Sequence, residues 1–504
     1  MTSVPPLIIA SCPSRSISGT QADVGRAADG GADLAEVRID RLNPGDRLRL
    51  GEFFPSRIPL VATLRSRTEG GEGPDAAKER ARVLKFAASL PFRFLDLELD
   101  RDEVLLDAIA RGESVGPTLI VSSHLPASTA VEELRRRLER PRPPGAVVKV
   151  VVECSVGRLF EEVLPGLMPL DAFAPCILHT TGGSGPLLRS WARRFGMFAV
   201  YGAVPTDPGG GVPPVESSQI PVDQLRSYFR SGSDGSLFAV TGHPILHSQS
   251  PAIHSFWLKR EDRRGLYMAL DIETAEELAA SLGPLASGGF RGLNVTHPWK
   301  QVALSLASRA GPAAEAAACA NTVTFDSDGV AAENTDVAAV RRRLLELRAA
   351  EVWDGTPVLV LGAGGAARAV LAAVRSVGGS GLVVSRRPQV AKEIAREYGA
   401  TAEESRSIRP ARIVFHATPA GREGVPRLEL PWEQAITSST HVVDFVYRPA
   451  YPFLRTGTEA RGGTYEDGSR LLVYQAAESY GIWWGSPPSA ELQATALKEV
   501  MCTA

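Results

Sequence analysis

The chain has 504 residues, 44% hydrophobic and 22% charged, which is enough for two or three globular domains with cores of their own. Lys+Arg 55 against Asp+Glu 57 leaves a formal charge of -2, so no overall field calls for nucleic acid or an anionic membrane as partner. The cysteines (Cys12, Cys154, Cys176, Cys319, Cys502) are scattered without a C-x-x-C pair, and neither a disulfide framework nor a metal site is expected. No basic leader precedes the first apolar strand and no apolar run reaches the length of a membrane span, so the cytoplasm is the expected compartment.

Short aliphatic strands at 7–10, 34–39, 60–64, 94–99, 118–122, 147–152, 177–180 and 198–202 alternate with helical periodicity, for instance over 76–88 and 129–140. That alternation predicts a (β/α)8 barrel whose working residues sit at the C-terminal strand ends. The second strand reads Glu36-Val-Arg38-Ile-Asp40, and its alternation points three polar side chains into the barrel mouth. The third ends at Arg65, ahead of Glu69 in a glycine-rich loop, and the fifth ends Ser122-Ser123-His124. Lys149 lies among valines in the sixth. Burial there favours the free amine that Schiff-base chemistry needs, whereas the competing expectation is a structural pair with a barrel carboxylate such as Glu36 or Glu98. His124, able to exchange a proton near neutrality, favours the catalytic alternative.

Together with Gly185-Pro-Leu-Leu-Arg189 and Gln219, these residues resemble type I 3-dehydroquinate dehydratase from residue 5 to about 230. The resemblance implies that Lys149 forms an imine with the substrate ketone, His124 moves the proton and Glu69 orients His124. It implies further that Arg189 binds the ring carboxylate while Glu36, Arg38, Arg65 and Gln219 hold hydroxyls and carboxylate. Three features depart from the family pattern. Leu125-Pro126 follows His124 where an Asp-Phe or similar pair is usual, and Val215 replaces a serine four residues before Gln219, with Ser217 and Ser218 closer to it. The stretch 209–211 is a run of glycines.

A polar, glycine- and serine-rich join at 229–236 precedes a fresh strand at 237–241. Ser248 and Ser250 follow on a turn with Pro251 opening a helix; two such hydroxyls suit a carboxylate or polyol, or serve as plain helix caps. In Gly292-Leu-Asn-Val-Thr-His-Pro-Trp-Lys300 a strand runs into Asn294 and Thr296, and Lys300 falls in the first turn of a helix. A cation there opposes the macrodipole, and Asp336 in Asn334-Thr335-Asp336 is the anion that would make a proton relay with it. Val358-Leu-Val-Leu-Gly-Ala-Gly-Gly-Ala-Ala has strand–turn–helix order, with Gly362, Gly364 and Gly365 placed to aim a helix N-terminus at a pyrophosphate. The next strand, 381–385, ends Ser385-Arg386-Arg387 where an acid would accept from a free ribose 2′-hydroxyl. Two guanidiniums suit a 2′-phosphate and an NADP site; a tight turn with two solvated arginines is the alternative.

Several motifs in order resemble shikimate dehydrogenase over roughly 237–502: His247-Ser-x-Ser-Pro251, Asn294-Val-Thr-x-Pro-x-Lys300, Asn321-Thr322, Asn334-Thr-Asp336, the glycine loop, Ala417-Thr-Pro419, Asp444-x-x-Tyr447-x-Pro449 and Gln475-Ala-Ala477. The resemblance implies a catalytic pair, Lys300 and Asp336, with substrate held by Ser248, Ser250, Thr296, Asn321 and Gln475. NADP(H) would meet Gly362, Gly364, Gly365, Ala366, Ser385, Arg386, Arg387, Thr418 and Gly468. Ala332 and Val337 stand near Asn-Thr-Asp where glycines are common. His297 replaces a usual aliphatic residue and His416 a frequent asparagine; both read as structural or supporting.

The expected architecture is α/β throughout: a (β/α)8 barrel followed by a two-lobed dehydrogenase. Residues 1–232 would form the barrel, 237–340 a substrate lobe and 341–466 a Rossmann-like NADP lobe, with 467–504 as helices returning to the substrate lobe. The product of the first resembled activity is the ketone substrate of the second. The expectation is therefore a bifunctional enzyme acting on small molecules, 3-dehydroquinate and then 3-dehydroshikimate, with NADPH. Two alternatives stay open: a barrel that only binds ligand, or a catabolic NAD-dependent dehydrogenase of quinate or shikimate.

Overall fold

The computed structural model describes residues 4–112, 115–205, 214–230, 234–404, 406–425 and 427–501; the glycine run 209–211, part of the join and Cys502 lie outside them. Eight parallel strands open the fold: β1 (Leu7–Ser11), β2 (Leu34–Arg38), β3 (Leu60–Thr63), β4 (Phe94–Glu98), β5 (Thr118–Leu125), β6 (Val147–Glu153), β7 (Cys176–Thr181) and β8 (Ala199–Ala203). Their order is β7-β6-β5-β4-β3-β2-β1-β8, with helices at Ala77–Ala88 and Val131–Glu139 among the crossovers. This is the barrel that the strand spacing predicts.

Every strand contributes to one apolar floor: Ile9, Leu34, Val61, Phe94, Ile120, Val147, Ile177 and Ala199. Side chains two residues further along face the same interior. These are Ser11, Glu36, Thr63, Asp96, Ser122, Lys149, His179 and Tyr201, all buried. A ring of polar groups thus lies directly on a hydrocarbon floor. The strands β7 and β8 stand at opposite ends of the order, and local contacts join them. Phe198 donates its N–H to the Cys176 carbonyl (2.9 Å), and Tyr201 donates its N–H to Nε2 of His179 (3.1 Å), whose Nδ1–H is held by the Leu178 carbonyl (2.8 Å).

Two local expectations shift. Strand β2 stops at Arg38, and Asp40 sits on a turn of 3-10 helix (Ile39–Arg41), because its carboxylate is clamped by both ends of the Arg38 guanidinium at 2.9 and 2.8 Å. Strand β5 runs on to Leu125, so His124 lies inside it, paired in register with Val151.

By compactness the chain falls into two units. The first holds the barrel and also Glu261–Phe290. Of the next two strands, β9 (Ser236–Gly242) and β10 (Gly265–Asp271), β10 belongs to that segment with helix Ala275–Ser287. Gly157 donates its N–H to Glu277 (2.5 Å) and the Trp191 indole N–H reaches the Gly288 carbonyl (2.7 Å), which fixes the segment against the barrel's outer helices.

In the second unit β11 (Phe290–Val295), β12 (Arg309–Ala310), β13 (Thr322–Asp326) and β14 (Gly329–Glu333) pair in the order β11-β13-β14-β12. The last sheet comprises β15 (Val358–Leu361), β16 (Gly381–Val384), β17 (Thr401–Ala402), β18 (Ile413–His416), β19 (His441–Asp444) and β20 (Thr464–Glu466), all parallel, in the order β17-β16-β15-β18-β19-β20. The order reverses between β15 and β18, and open parallel sheets bind ligands outside such a switch point. Alternation along β15 feeds two cores: Val358 and Val360 pack with helices Thr335–Ala349 and Gly365–Ser376, Leu359 and Leu361 with Val414 and Trp432. Among the described residues no helix is long and apolar enough to cross a membrane.

At the switch point Gly362 has φ +130°, and a Cβ there would lie 2.7 Å from the Ala417 carbonyl oxygen. Gly364 has nothing within 4 Å. Gly362→Ala should therefore destabilise the fold by about 1–3 kcal/mol, and Gly364→Ala by under about 0.5 kcal/mol, as read from thermal unfolding.

Candidate functional sites

In the barrel mouth five polar side chains, two of them from that ring, form one hydrogen-bonded chain. Lys149 Nζ lies 3.1 Å from Asp96 and 4.0 Å above the centre of the Tyr201 ring. Its anion is Asp96, neither Glu36 nor Glu98; the two side chains point inward from β6 and β4, which flank β5 in the sheet. The Arg65 guanidinium grips both oxygens of Asp96 (3.0 and 3.1 Å) and also reaches Glu69 (2.8 Å), Glu98 (3.1 Å) and Ser122 (3.0 Å). Glu69 in turn accepts from the His124 backbone N–H and from its Nδ1, each at 3.1 Å. The order Lys149–Asp96–Arg65–Glu69–His124 is thus continuous.

Electrostatics divides the protons along it. Burial pushes Asp96 up, but Arg65, Lys149 and Ser122 outweigh it and bring its pKa down to about 2, so it stays a carboxylate. Burial pushes Glu69 up to about 7, helped by Glu98 and Asp96 against the pull of Arg65. Burial and the charges of Arg65, Lys149 and Arg38 hold the His124 imidazole well below its ordinary pKa. His124 therefore stays neutral, and once Glu69 is ionised it accepts the Nδ1–H and leaves Nε2 as the free base.

The other barrel candidates stand in separate contacts. Glu36 accepts from Thr63 (2.8 Å), Arg38 holds Asp40, and Gln219 donates to Ser11 (3.1 Å) while its buried Oε1 has no partner among the described residues. Arg189 is locked by the carbonyls of Tyr201, Thr180 and Gly185 and turns its Nη2 to Glu216 (3.1 Å). The hydroxyl beside it belongs to Ser218, 3.0 Å from Nη1, which answers where a serine stands in the absence of one at 215.

The second unit gathers another set. Lys300 opens helix Lys300–Ser305 and pairs with Asp336 in the first turn of Thr335–Ala349. Beneath the pair runs a buried amide–hydroxyl network. Asn294 donates to Thr322 (3.1 Å) and Ser479 (2.8 Å), Asn321 donates to Thr335 (3.0 Å) and Gln475 (3.4 Å), and Oδ1 of Asn321 accepts the Thr335 N–H (2.7 Å). Gln475 and Ser479 lie on helix Ser469–Trp484, which brings the C-terminal part of the chain to this network. Ser250 is buried, with its N–H 3.3 Å from the Ser248 hydroxyl, and Thr296 is half-buried with its N–H on the Thr241 carbonyl.

Gly365 begins helix Gly365–Ser376, and a Cβ there would come within 3.2 Å of the Lys300 stem, so the loop and the lysine touch. The N-cap Gly364 offers no side chain to the first turn, which leaves helix N–H groups and the open space beside Gly364 for an anion. Ala366 lies in that first turn. Ser385 is buried and caps the Arg387 N–H (3.2 Å), whereas Arg386 and Arg387 are exposed with no carboxylate paired to either among the described residues. These residues fit a dinucleotide carrying an extra phosphate. Gly468 is buried, and a Cβ there would meet the Phe445 carbonyl oxygen at 2.5 Å. His416 supports Thr418: Asp444 accepts from Nδ1 (2.7 Å), so Nε2 accepts from the Thr418 hydroxyl (2.5 Å), and Tyr465 completes the set on Asp444 (2.9 Å).

One half therefore defines a lyase-type site built on a buried lysine, and the other a dinucleotide-linked site built on a lysine–aspartate pair. Residues 8–234 match the type I 3-dehydroquinase family and 240–323 match the shikimate dehydrogenase substrate binding domain. The NADP+ shikimate dehydrogenase of Paracoccus denitrificans is 37% identical over 51% of this chain and 93% of its own length. The chloroplastic bifunctional 3-dehydroquinate dehydratase/shikimate dehydrogenase of Arabidopsis thaliana is 27% identical over 97% of this chain and 83% of its own. A solved shikimate 5-dehydrogenase from Thermus thermophilus is 35% identical over 53% of this chain and 99% of its own, with a TM-score of 0.48. The chain belongs to the type I 3-dehydroquinase family in its first half and to the shikimate dehydrogenase family in its second.

Asp96→Asn would leave Arg65 and Lys149 facing each other without their shared anion. The barrel should lose about 3–5 kcal/mol, measured by denaturant unfolding against the wild-type chain.

Proposed function

We infer that the chain is a bifunctional enzyme that dehydrates 3-dehydroquinate to 3-dehydroshikimate and reduces this ketone to shikimate with NADPH. The observation that carries it is the presence, in one chain of these two families, of the continuous Lys149-to-His124 relay and the Lys300–Asp336 pair against the glycine loop. Residues 1–232 are assigned the dehydratase. Residues 237–340 hold the second substrate, 341–466 hold NADP(H), and 467–504 complete the substrate lobe. The cytoplasm is the proposed compartment.

In the barrel the Lys149 amine adds to the substrate ketone, and loss of water gives an iminium, an electron sink that acidifies the neighbouring C–H. His124 Nε2 takes that proton, with Glu69 holding Nδ1–H, and then returns it to the departing hydroxyl; water then adds back to the iminium carbon, and cleavage of the C–N bond frees the enone and restores the Lys149 amine. Asp96 fixes the nitrogen of Lys149 through both protonation changes. Arg189 and Ser218 hold the ring carboxylate, while Glu36, Arg38 and Gln219 receive hydroxyls; the unpartnered Oε1 of Gln219 is an acceptor kept for one of them. In the second half NADPH, when bound, supplies a hydride. Lys300 donates a proton to the carbonyl oxygen as it becomes an alkoxide, and Asp336 orients and recharges Lys300. Ser248, Ser250, Thr296, Asn321 and Gln475 hold the substrate. Gly362, Gly364, Gly365 and Ala366 receive the pyrophosphate, Ser385, Arg386 and Arg387 the 2′-phosphate, and Thr418 and Gly468 the nicotinamide end.

Separate variants test the two steps in one assay with 3-dehydroquinate and NADPH. Lys149→Ala should abolish enone formation and NADPH loss, yet still reduce added 3-dehydroshikimate. Lys300→Ala should accumulate the enone while NADPH use falls by orders of magnitude. NADPH loss from 3-dehydroquinate in Lys149→Ala would remove the lysine from its role.

The pH response follows from Glu69. Its carboxylate forms as pH rises through about 7 while His124 stays neutral, so dehydratase kcat/KM should climb between roughly pH 6 and 8. Glu69→Gln should lose that step, which a pH–rate profile of both proteins would show.

A further inference from the structure

The seat proposed for the substrate's carboxylate already contains one. Arg189 is 3% exposed, and its plane is fixed by carbonyl oxygens: Tyr201 on Nε (3.2 Å), with Thr180 (2.9 Å) and Gly185 (2.5 Å) on Nη1. The remaining edge, Nη2, donates to Oε2 of Glu216 at 3.1 Å. The same carboxylate accepts the Ser218 N–H on Oε1 (2.9 Å) and the Ser218 hydroxyl on Oε2. One carboxylate thus meets a guanidinium, an amide and a hydroxyl, the donor set that recognises a small carboxylate anion.

We propose that Glu216 is a resident counter-ion that occupies the anion seat of Arg189 in the substrate-free barrel and must leave before the substrate's carboxylate can enter, so that it sets affinity and anion selectivity. The proposal rests on the dehydratase reading. Glu216 is the one anion on Arg189 among the described residues. Burial alone works against the guanidinium's charge and Glu216 works for it, so an empty seat would strand a buried cation. The two partners differ in freedom. Arg189 is walled in, whereas the Glu216 side chain is 25% exposed, on the stretch between β8 and helix Val222–Tyr228, and can turn its charge out to water. Two carboxylates cannot share one guanidinium edge without repulsion, so the substrate binds only to the fraction of molecules in which Glu216 is out.

The test compares wild type with Glu216→Gln and Glu216→Ala in steady-state enone formation from 3-dehydroquinate, alongside borohydride trapping on Lys149 at saturating substrate. Freeing the seat should lower KM about tenfold in both variants with kcat within about twofold, and all three proteins should trap. An unchanged or raised KM with trapping intact would overturn the proposal and leave the dehydratase reading standing. Loss of trapping in the variants alone would also overturn it, since Glu216 would then be needed to hold the substrate. Absence of trapping in all three would remove the dehydratase reading and the proposal with it.

Discussion

An ammonium taken out of water must have an anion beside it, and both halves of this chain are arranged around that demand. Lys149 is buried on a barrel strand and answered by Asp96; Lys300 opens a helix, where its charge is unwelcome, and is answered by Asp336. In each case the pairing keeps the nitrogen in one place and offsets the cost of taking its charge out of water. The catalytic proposals for both halves begin from those two contacts.

The barrel extends the same logic outward. Arg65 is surrounded by Glu69, Asp96 and Glu98, and the fully buried Arg80 continues the alternation from Glu98 (3.2 Å) to Asp102 (2.7 Å). Charges of alternating sign therefore run from the barrel centre to its outer helices. The hydrocarbon floor below this lattice excludes water from beneath it, and in such surroundings small differences in neighbourhood separate the protons widely. Asp96 and Glu69 are both buried carboxyl groups, yet one is held ionised by two cations and the other, among further acids, keeps its proton near neutrality.

The period-two alternation of the eight strands was legible, and with it the fold, because the apolar residues that mark the strands also form the floor. Lys149 stood out as a charge where that alternation demands a buried side chain. Its partner did not, since Asp96 reaches it over the intervening β5, a strand order that no local pattern announces; the acids at 96 and 98 in Phe-Leu-Asp-Leu-Glu were the available signal. Arg189 carries a related lesson. Most of its bonds go to backbone carbonyls, which no side-chain pattern announces, and Glu216 meets it from 27 residues away. In the second half the glycine loop and the Lys300–Asp336 pair were readable as motifs. The service His416 does for Thr418 depended on β18 lying beside β19, where Asp444 waits.

His179 closes the barrel where no ladder does, and that choice of fastener has a mechanical corollary. A peptide carbonyl accepts a hydrogen bond at any acidity, but an imidazole nitrogen accepts only while it lacks a proton. Burial and the nearby Arg189 keep His179 neutral far into the acid range. Once acid does reach it, Nε2–H confronts the Tyr201 N–H, and a clasp becomes a wedge. The β7–β8 junction thus rests on an acceptor that works only while His179 is neutral, whereas every other seam of the barrel is laced by peptide carbonyls.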